Sequence, residues 1–546
     1  MHLEGDPSGW KTRLTPEMVR HFGGGDFWQN RTIAHHLDDL VAKRPEQLLV
    51  IEAGGTHTAA QAHADARRLA GNLVRRGLKR GQVVSFQLPN WYEAVQIELA
   101  CAYGGFVCNP IVTIYRDAEV DFIIKDSGSA YFFVPERFRN FSYREMVQRL
   151  QPGWGKTEVV TVRGNASDAS SFDQLIREEP AQIGALPDPN HVKLIMYTSG
   201  TTSRAKGVLH THNTIAMEIA NFSRWLKLDG NDVVLMPSPL GHITGYLYGI
   251  QLPVTLGIPV VLMETWDVAS AVGVIEQHGV TFTIGATPFL QELSNFCLKS
   301  GKRLPSLRYF PTGGAPVPPE VVLAADRAFE RCIAFRLYGS TEAPTVTLGI
   351  TDPKLQDLRA NTEGYVVGHE IKLVDANDKP VKLGEEGEIL TRGPEMFAGY
   401  ALAEQNDGIF DSEGYFRTGD LAVESPKNCL TITGRKKDII IRGGENLSPK
   451  EIEDVLYTHP AVREAAVVAM PHARLGETCC AFVTLKPSAR FDLEAMLGIL
   501  SNSGLAKQKF PERLEIVENL PYTAAGKIRK NVLREEIARK IKQERD

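Results

Sequence analysis

Residues 196–214 read MYTSGTTSRAKGVLHTHNT. Thr198, Ser199, Gly200, Thr201 and Thr202 follow the apolar stretch VKLIMY (192–197), and a single cation, Lys206, comes next with Gly207 behind it. Hydroxyls and the backbone N–H groups of a glycine-containing loop converge readily on phosphate oxygens, and a lysine adds a mobile positive charge. The chemistry this predicts is a grip on phosphate. It is not a Walker A loop. Ala205 stands where G-x-x-x-x-G-K-[ST] requires its second glycine, and Gly207 stands where the Mg²⁺-holding hydroxyl is required. A P-loop ATPase or kinase is therefore disfavoured, and for the stretch taken alone a plain surface loop is the alternative to a phosphate grip.

Four further segments give it weight: PTGGAPVP (311–318), LYGSTEAP (337–344), YFRTGD (415–420) ahead of TGRKKDIIIRGGE (433–445), and PYTAAGKIRK (521–530). Three have a plain alternative: a turn with a solvated Glu342, a surface Arg435 beside Lys436 and Lys437, a solvated Lys527 near a basic tail. His210 and His212 lack a third ligand motif, so a metal reading there is rejected.

The elements that must position these residues read as α/β. QVVSFQLPN (82–90) is strand-like and YEAVQIELACAYGG (92–105) helical; VVLM (260–263), DVASAVGVIEQHG (267–279) and VTFTIG (280–285) repeat the pattern. Strands apolar on both faces belong to parallel sheets covered by helices. YLYGIQLPVTLGIPVVLM (246–263) is broken by Gln251, Pro253 and Pro259, so it reads as a buried helix and strand and not a membrane span. A break falls near residue 435. Beyond it, Ser448 with Pro449 and Glu451 predicts a capping box, EAAVVAM (464–470) and CCAFVTL (479–485) predict strands, and RKNVLREEIARKIKQERD predicts a solvated terminal helix. The expected fold is a large, multi-subdomain N-terminal domain (1–435) with mostly parallel sheets, plus a small α+β C-terminal domain (436–546).

The composition bounds function from outside. A net charge of −5 argues against nucleic acid or a polybasic membrane anchor. Seven cysteines without a C-x-x-C pair, and no apolar run in MHLEGDPSGWKTRL, suggest a reducing, cytoplasmic setting. A homo-oligomer is compatible with the composition.

With these motifs in order, the chain resembles the adenylate-forming enzymes: acyl-CoA synthetases, firefly-type luciferases and peptide-synthetase adenylation domains. The resemblance spans roughly residues 30–530 and looks most like bacterial short- to medium-chain fatty-acyl or alicyclic-acyl (cyclohexanecarboxylate-type) CoA ligases. It implies ATP, Mg²⁺ and coenzyme A. Thr198, Ser199, Gly200, Thr201, Thr202 and Lys206 would grip the ATP phosphates. Gly314, Ala315 and Pro316 would let adenine approach the backbone; Tyr338 would stack on it, with Gly339 and Ser340 beside it. Thr341 would bond the α-phosphate, and Glu342, with Thr198, would hold Mg²⁺. Asp420 and Arg435 would fix the ribose. Lys527, matched with Pro521, Thr523 and Gly526 to P-x-T-x-x-G-K, would stabilise attack of a carboxylate on the α-phosphate. Lys437 aligns with the family's hinge, about which the small domain turns to bring Gly443 and Gly444 to the thiol. His242, Gly245 and Gly285 fall in segments (237–249 and 282–293) that resemble the acid pocket and thiol tunnel. Ser203 and Ala205 depart from the usual T-S-G-T-T-G-x-P-K-G, which predicts altered loop dynamics or nucleotide affinity.

Rivals share much of this reading. A peptide-synthetase module would carry a carrier domain, yet only 19 residues follow Lys527, and the amino-group-binding Asp is missing. A luciferase-like oxygenase would differ mainly in its pocket, and an acyl-AMP ligase not using CoA usually carries an insertion absent here. A non-catalytic nucleotide sensor would not need both Glu342 and Lys527. The expected acid is medium-chain or alicyclic, with an aryl, benzoate-type acid as the alternative.

Overall fold

The computed structural model describes residues 5–24, 27–165, 170–198, 205–315, 317–443, 445–522 and 527–545. Two seven-stranded sheets dominate. In one, Val192–Thr198, Val107–Pro110, Val83–Phe86, Tyr131–Pro135 and Glu158–Val162 run parallel, and Lys206–Thr211 and Gly399–Tyr400 close the edge antiparallel. In the other, Ile333–Arg336, Tyr309–Thr312, Phe282–Thr283, Val234–Met236, Val260–Leu262 and Leu48–Glu52 are parallel neighbours. The helix Tyr92–Gly104 lies between apolar surfaces and is buried on nearly every side, as a helix without a polar face must be.

A six-stranded antiparallel sheet covers 347–435. Past it, Ile440–Arg442, Glu445–Leu447, Val462–His472, Gly476–Leu485 and Arg513–Ile516 form a separate sheet with its own cores. The segment 243–263 is the expected buried helix and strand, with a twist: Leu247–Gln251 is a π turn followed by the short helix Leu252–Leu256. Pro253 has no N–H for the carbonyl one turn back, and widening the turn relieves that clash.

Two expectations are corrected. Pro449 does start the helix Pro449–Tyr457 and Ser448 is its cap residue, but no capping box forms. The Ser448 hydroxyl donates instead to the Thr433 carbonyl at 2.6 Å, and Glu451 pairs with Lys509. A tertiary carbonyl across the 435 junction, and not the local Glu451 amide, orients the hydroxyl. The terminal helix Lys530–Arg545 is not simply solvated either, because Leu533 and Ile537 are buried against Val468, Met470 and Phe482. No described helix is long and apolar enough to cross a membrane.

Candidate active site

Thr198 and Lys206 face each other in register where the strands Val192–Thr198 and Lys206–Thr211 meet. Ser199, Gly200, Thr201 and Thr202 lie outside the described residues. Lys206 holds its ammonium 4.5 Å over the ring of Tyr400, a cation–π contact. The same tyrosine donates its hydroxyl to Glu342 Oε1 at 2.8 Å. One aromatic side chain thus joins the phosphate-loop lysine to the predicted metal carboxylate.

The loop 337–346 follows the strand Ile333–Arg336, whose last residue is a buried arginine. Arg336 forks onto Glu363 and the Ala360 carbonyl, and Glu363 accepts from the Ile432 amide at 2.8 Å. That pairing leaves no buried charge unmet and fixes the start of the loop. His210 fixes its middle. Burial lowers the His210 pKa to about 4, and its Nε2 sits 2.7 Å from the Thr341 carbonyl. A carbonyl only accepts, so the neutral ring donates there and aims the Thr341–Glu342 peptide. Gly339 and Ser340 sit in the turn beside them: a Cβ at Gly339 would lie 1.9 Å from the Pro344 carbonyl oxygen, and Ser340 Oγ accepts from the Ala343 amide.

Asp420 is 6% exposed and has two partners. Tyr338 donates its hydroxyl to Oδ2 at 2.7 Å, and Arg435 Nε approaches Oδ1 at 2.9 Å. Strand pairing places Asp420 opposite Arg435. Gly314 adopts φ +77°, is exposed, and has nothing within 4 Å of where a Cβ would stand, so the backbone there is open to a flat ring. Ala315 beside it is half-buried, and Pro316 is outside the described residues.

Lys527 reaches this cluster from the second lobe. Burial lowers its pKa to about 8, with Arg435 and Lys437 pushing the same way while Asp420 and Glu342 pull back. His242 feels it too: burial and then the Lys527 ammonium lower His242 to about 4. Lys437 lies in the turn Lys436–Asp438, and Arg534 of the terminal helix donates to the Lys437 carbonyl at 3.0 Å. Gly443, with φ +60°, follows Ile440–Arg442; Gly444 is outside the described residues.

The candidate acid wall is tightly built. His242 caps the turn Ile243–Tyr246. A Cβ at Gly245 would lie 2.1 Å from the Pro239 carbonyl oxygen, and one at Gly285 would lie 2.5 Å from the Phe289 ring. These glycines leave room for the wall's own backbone and side chains. Gly245→Ala is expected to cost about 1–3 kcal/mol through overpacking, seen as a lower melting temperature and a lower affinity for the acid.

Glu342 and Thr198 offer hard oxygen donors of the type Mg²⁺ takes together with phosphate oxygens. Among the described residues no cluster of three or more His, Cys, Asp or Glu could hold a metal, and a Mg²⁺ held largely by nucleotide would need none. Sequence reasoning missed Tyr400 and assigned His210 nothing. Their partners lie 58 and 131 residues away, and no local pattern marks either.

The chain matches the AMP-binding enzyme family over residues 37–401 and that family's C-terminal domain over 451–527. It is 34% identical to a medium-chain fatty-acid–CoA ligase of Escherichia coli, covering 95% of this chain and 92% of the relative. It is 29% identical to a salicylyl-CoA synthase/salicylate adenylyltransferase of a Streptomyces species, covering 95% and 96%. The crystal structure of ATP-bound MatB from Rhodopseudomonas palustris superposes with a TM-score of 0.83 at 27% identity, over 93% of this chain and 99% of that one. Family match, similarity over almost the whole length and shared fold agree: this chain belongs to the AMP-binding enzymes, the adenylate-forming family its motifs resemble.

Proposed function

We propose that this chain is an ATP-dependent acid–thiol ligase that converts a carboxylic acid to its acyl adenylate, releasing pyrophosphate, and then transfers the acyl group to coenzyme A. The observation that carries this reading is that Lys527, which belongs to the other lobe, lies within electrostatic reach of Asp420, Glu342 and His242. In the first step a carboxylate oxygen attacks the α-phosphorus and the bond to pyrophosphate breaks. Charge builds on the phosphoryl oxygens, where a fixed cation stabilises the transition state more than the ground state. Thr341 donates to the same phosphate, Lys206 and the preceding hydroxyls hold the outer phosphates, and Asp420 with Arg435 holds the ribose. Glu342 and Thr198 would hold Mg²⁺, which offsets phosphate charge. In the second step the thiol attacks the acyl carbon and AMP leaves.

The two steps need different neighbours around one anhydride. Residues 436–546 are read as the mobile domain, 1–435 as the body, and Lys437 as the hinge; turning there withdraws Lys527 and presents Gly443 and Gly444. The setting read from the sequence is cytoplasmic.

The acid is read as medium-chain or alicyclic, supported by the apolar wall and by the Escherichia coli relative. The similarly close relative named for salicylate supports an aryl acid as the second reading. A pyrophosphate-release screen decides between them, using straight-chain acids from acetate to palmitate, cyclohexanecarboxylate, benzoate and salicylate, each with and without coenzyme A. Fastest release with hexanoate to decanoate or cyclohexanecarboxylate is expected, with thioester formed only when coenzyme A is present. Release confined to the aryl acids would move the assignment to the second reading, and pyrophosphate with no acid at all would overturn the function.

A further inference from the structure

Glu218 lies on the helix His212–Leu226, is fully buried, and belongs to none of the segments to which the proposed chemistry assigns a role. Its Oε1 accepts two hydroxyls at once, from Tyr248 at 2.6 Å and from Thr345 at 2.6 Å, and those hydroxyls are themselves 2.9 Å apart. Tyr248 belongs to the π turn Leu247–Gln251 in the candidate acid wall, with its ring 4.3 Å from that of Phe222. Thr345 stands three residues beyond Glu342 in the nucleotide loop. A single oxygen therefore spans the two proposed substrate walls.

The rest of the carboxyl is also accounted for. Oε2 is buried with no hydroxyl or amide to accept from, and the group faces the carboxyl of Glu395. Burial, and then Glu395, push Glu218 far above the usual carboxylate range, while burial raises Glu395 to about 7. The two carboxyls therefore favour sharing a proton over ionising together. Asn221 donates to Glu395 from one side, and the fully buried His369 lies 3.3 Å away on another. Arg224 also faces Glu395. Burying two carboxyls in contact is expensive, and an apolar filling would pack the site at lower cost. Hydrophobic side chains could not, however, tie two hydroxyls from separate segments to one point.

We infer that Glu218 is a positioning residue that holds the acid-pocket wall in register with the nucleotide loop, through Tyr248 on one side and Thr345 on the other. The inference rests on the proposed reading of those segments as acid and nucleotide walls. Rigid hydrogen-bonded contacts of this kind carry coupling between sites, so disturbing the acid side should be felt by ATP.

Steady-state adenylation in the full chain, with the best acid from the screen, tests it. Glu218→Gln keeps an oxygen for both hydroxyls and an N–H for Glu395, and should stay within about threefold of the unaltered protein. Glu218→Leu should raise KM for acid and for ATP by about tenfold each. Tyr248→Phe, a change on the acid side alone, should raise KM for ATP about threefold or more, and should add nothing to it in the Glu218→Leu background. The inference is overturned if Glu218→Gln is as impaired as a well-folded Glu218→Leu, or if Tyr248→Phe alters only KM for the acid. Should Glu218→Leu not fold, the Gln and Phe variants decide by themselves. Absence of pyrophosphate from the unaltered protein with every acid would instead remove the assignment of the walls, and the inference with it.

Discussion

Lys527→Ala is expected to slow acyl-adenylate formation by about 10²–10³, the usual loss when one preorganised donor is taken from a developing anion. Pyrophosphate release in a single turnover measures it. The ammonium acts only while charged, and in the free protein its pKa is lowered to about 8, by burial and then by Arg435. Adenylation kcat/KM for ATP should therefore be highest below that value and fall as pH rises through about 8. Bound phosphates favour the charged form, so the fall in kcat should lie at higher pH than the fall in kcat/KM. A profile for Lys527→Ala that keeps the same alkaline fall would assign it to another group.

Asp420→Ala is expected to have the second-largest effect. Its carboxylate holds both the Tyr338 hydroxyl and the Arg435 guanidinium. Removing it deletes the proposed ribose acceptor and leaves a buried hydroxyl and a cation unpartnered. Truncating one member of a buried, hydrogen-bonded charge pair costs about 2–5 kcal/mol, so kcat/KM for ATP should fall by about 30-fold or more at about 1.4 kcal/mol per decade. Asp420→Asn keeps an acceptor for Tyr338 and should lose less. KM for the acid should change little in either variant, because Asp420 has no part in the acid wall. An equal rise in KM for acid and for ATP would show that the whole loop had shifted.

What the sequence makes legible is whatever is contiguous. The hydroxyl run with Lys206, the YGSTE turn, Asp420 and Lys527 each sit in a short stretch that matches a family motif, and the resemblance supplies the roles proposed for them. The α/β architecture is likewise written in local runs such as 82–105 and 260–285. Residues that act across the fold are not legible in the same way. Tyr400 joins Lys206 to Glu342, His210 aims Thr341 and Glu218 bridges Tyr248 and Thr345. Each depends on a pairing set by tertiary packing. The same physics explains the two corrected elements. Ser448 meets every local requirement of a capping box, yet its hydroxyl finds the Thr433 carbonyl. The charged tail reads as solvated because Leu533 and Ile537 are spaced four apart among eleven charges, yet those two suffice to dock it on the second lobe's sheet.

The proposed account turns on one ammonium serving one half of a two-step reaction from a lobe that moves. Its most direct measurement compares the two half-reactions in Lys527→Ala: pyrophosphate release from ATP and acid, and thioester formation from synthetic acyl adenylate and coenzyme A. The account predicts that the first collapses by about 10² or more while the second stays close to that of the unaltered protein. Equal loss of both would contradict it.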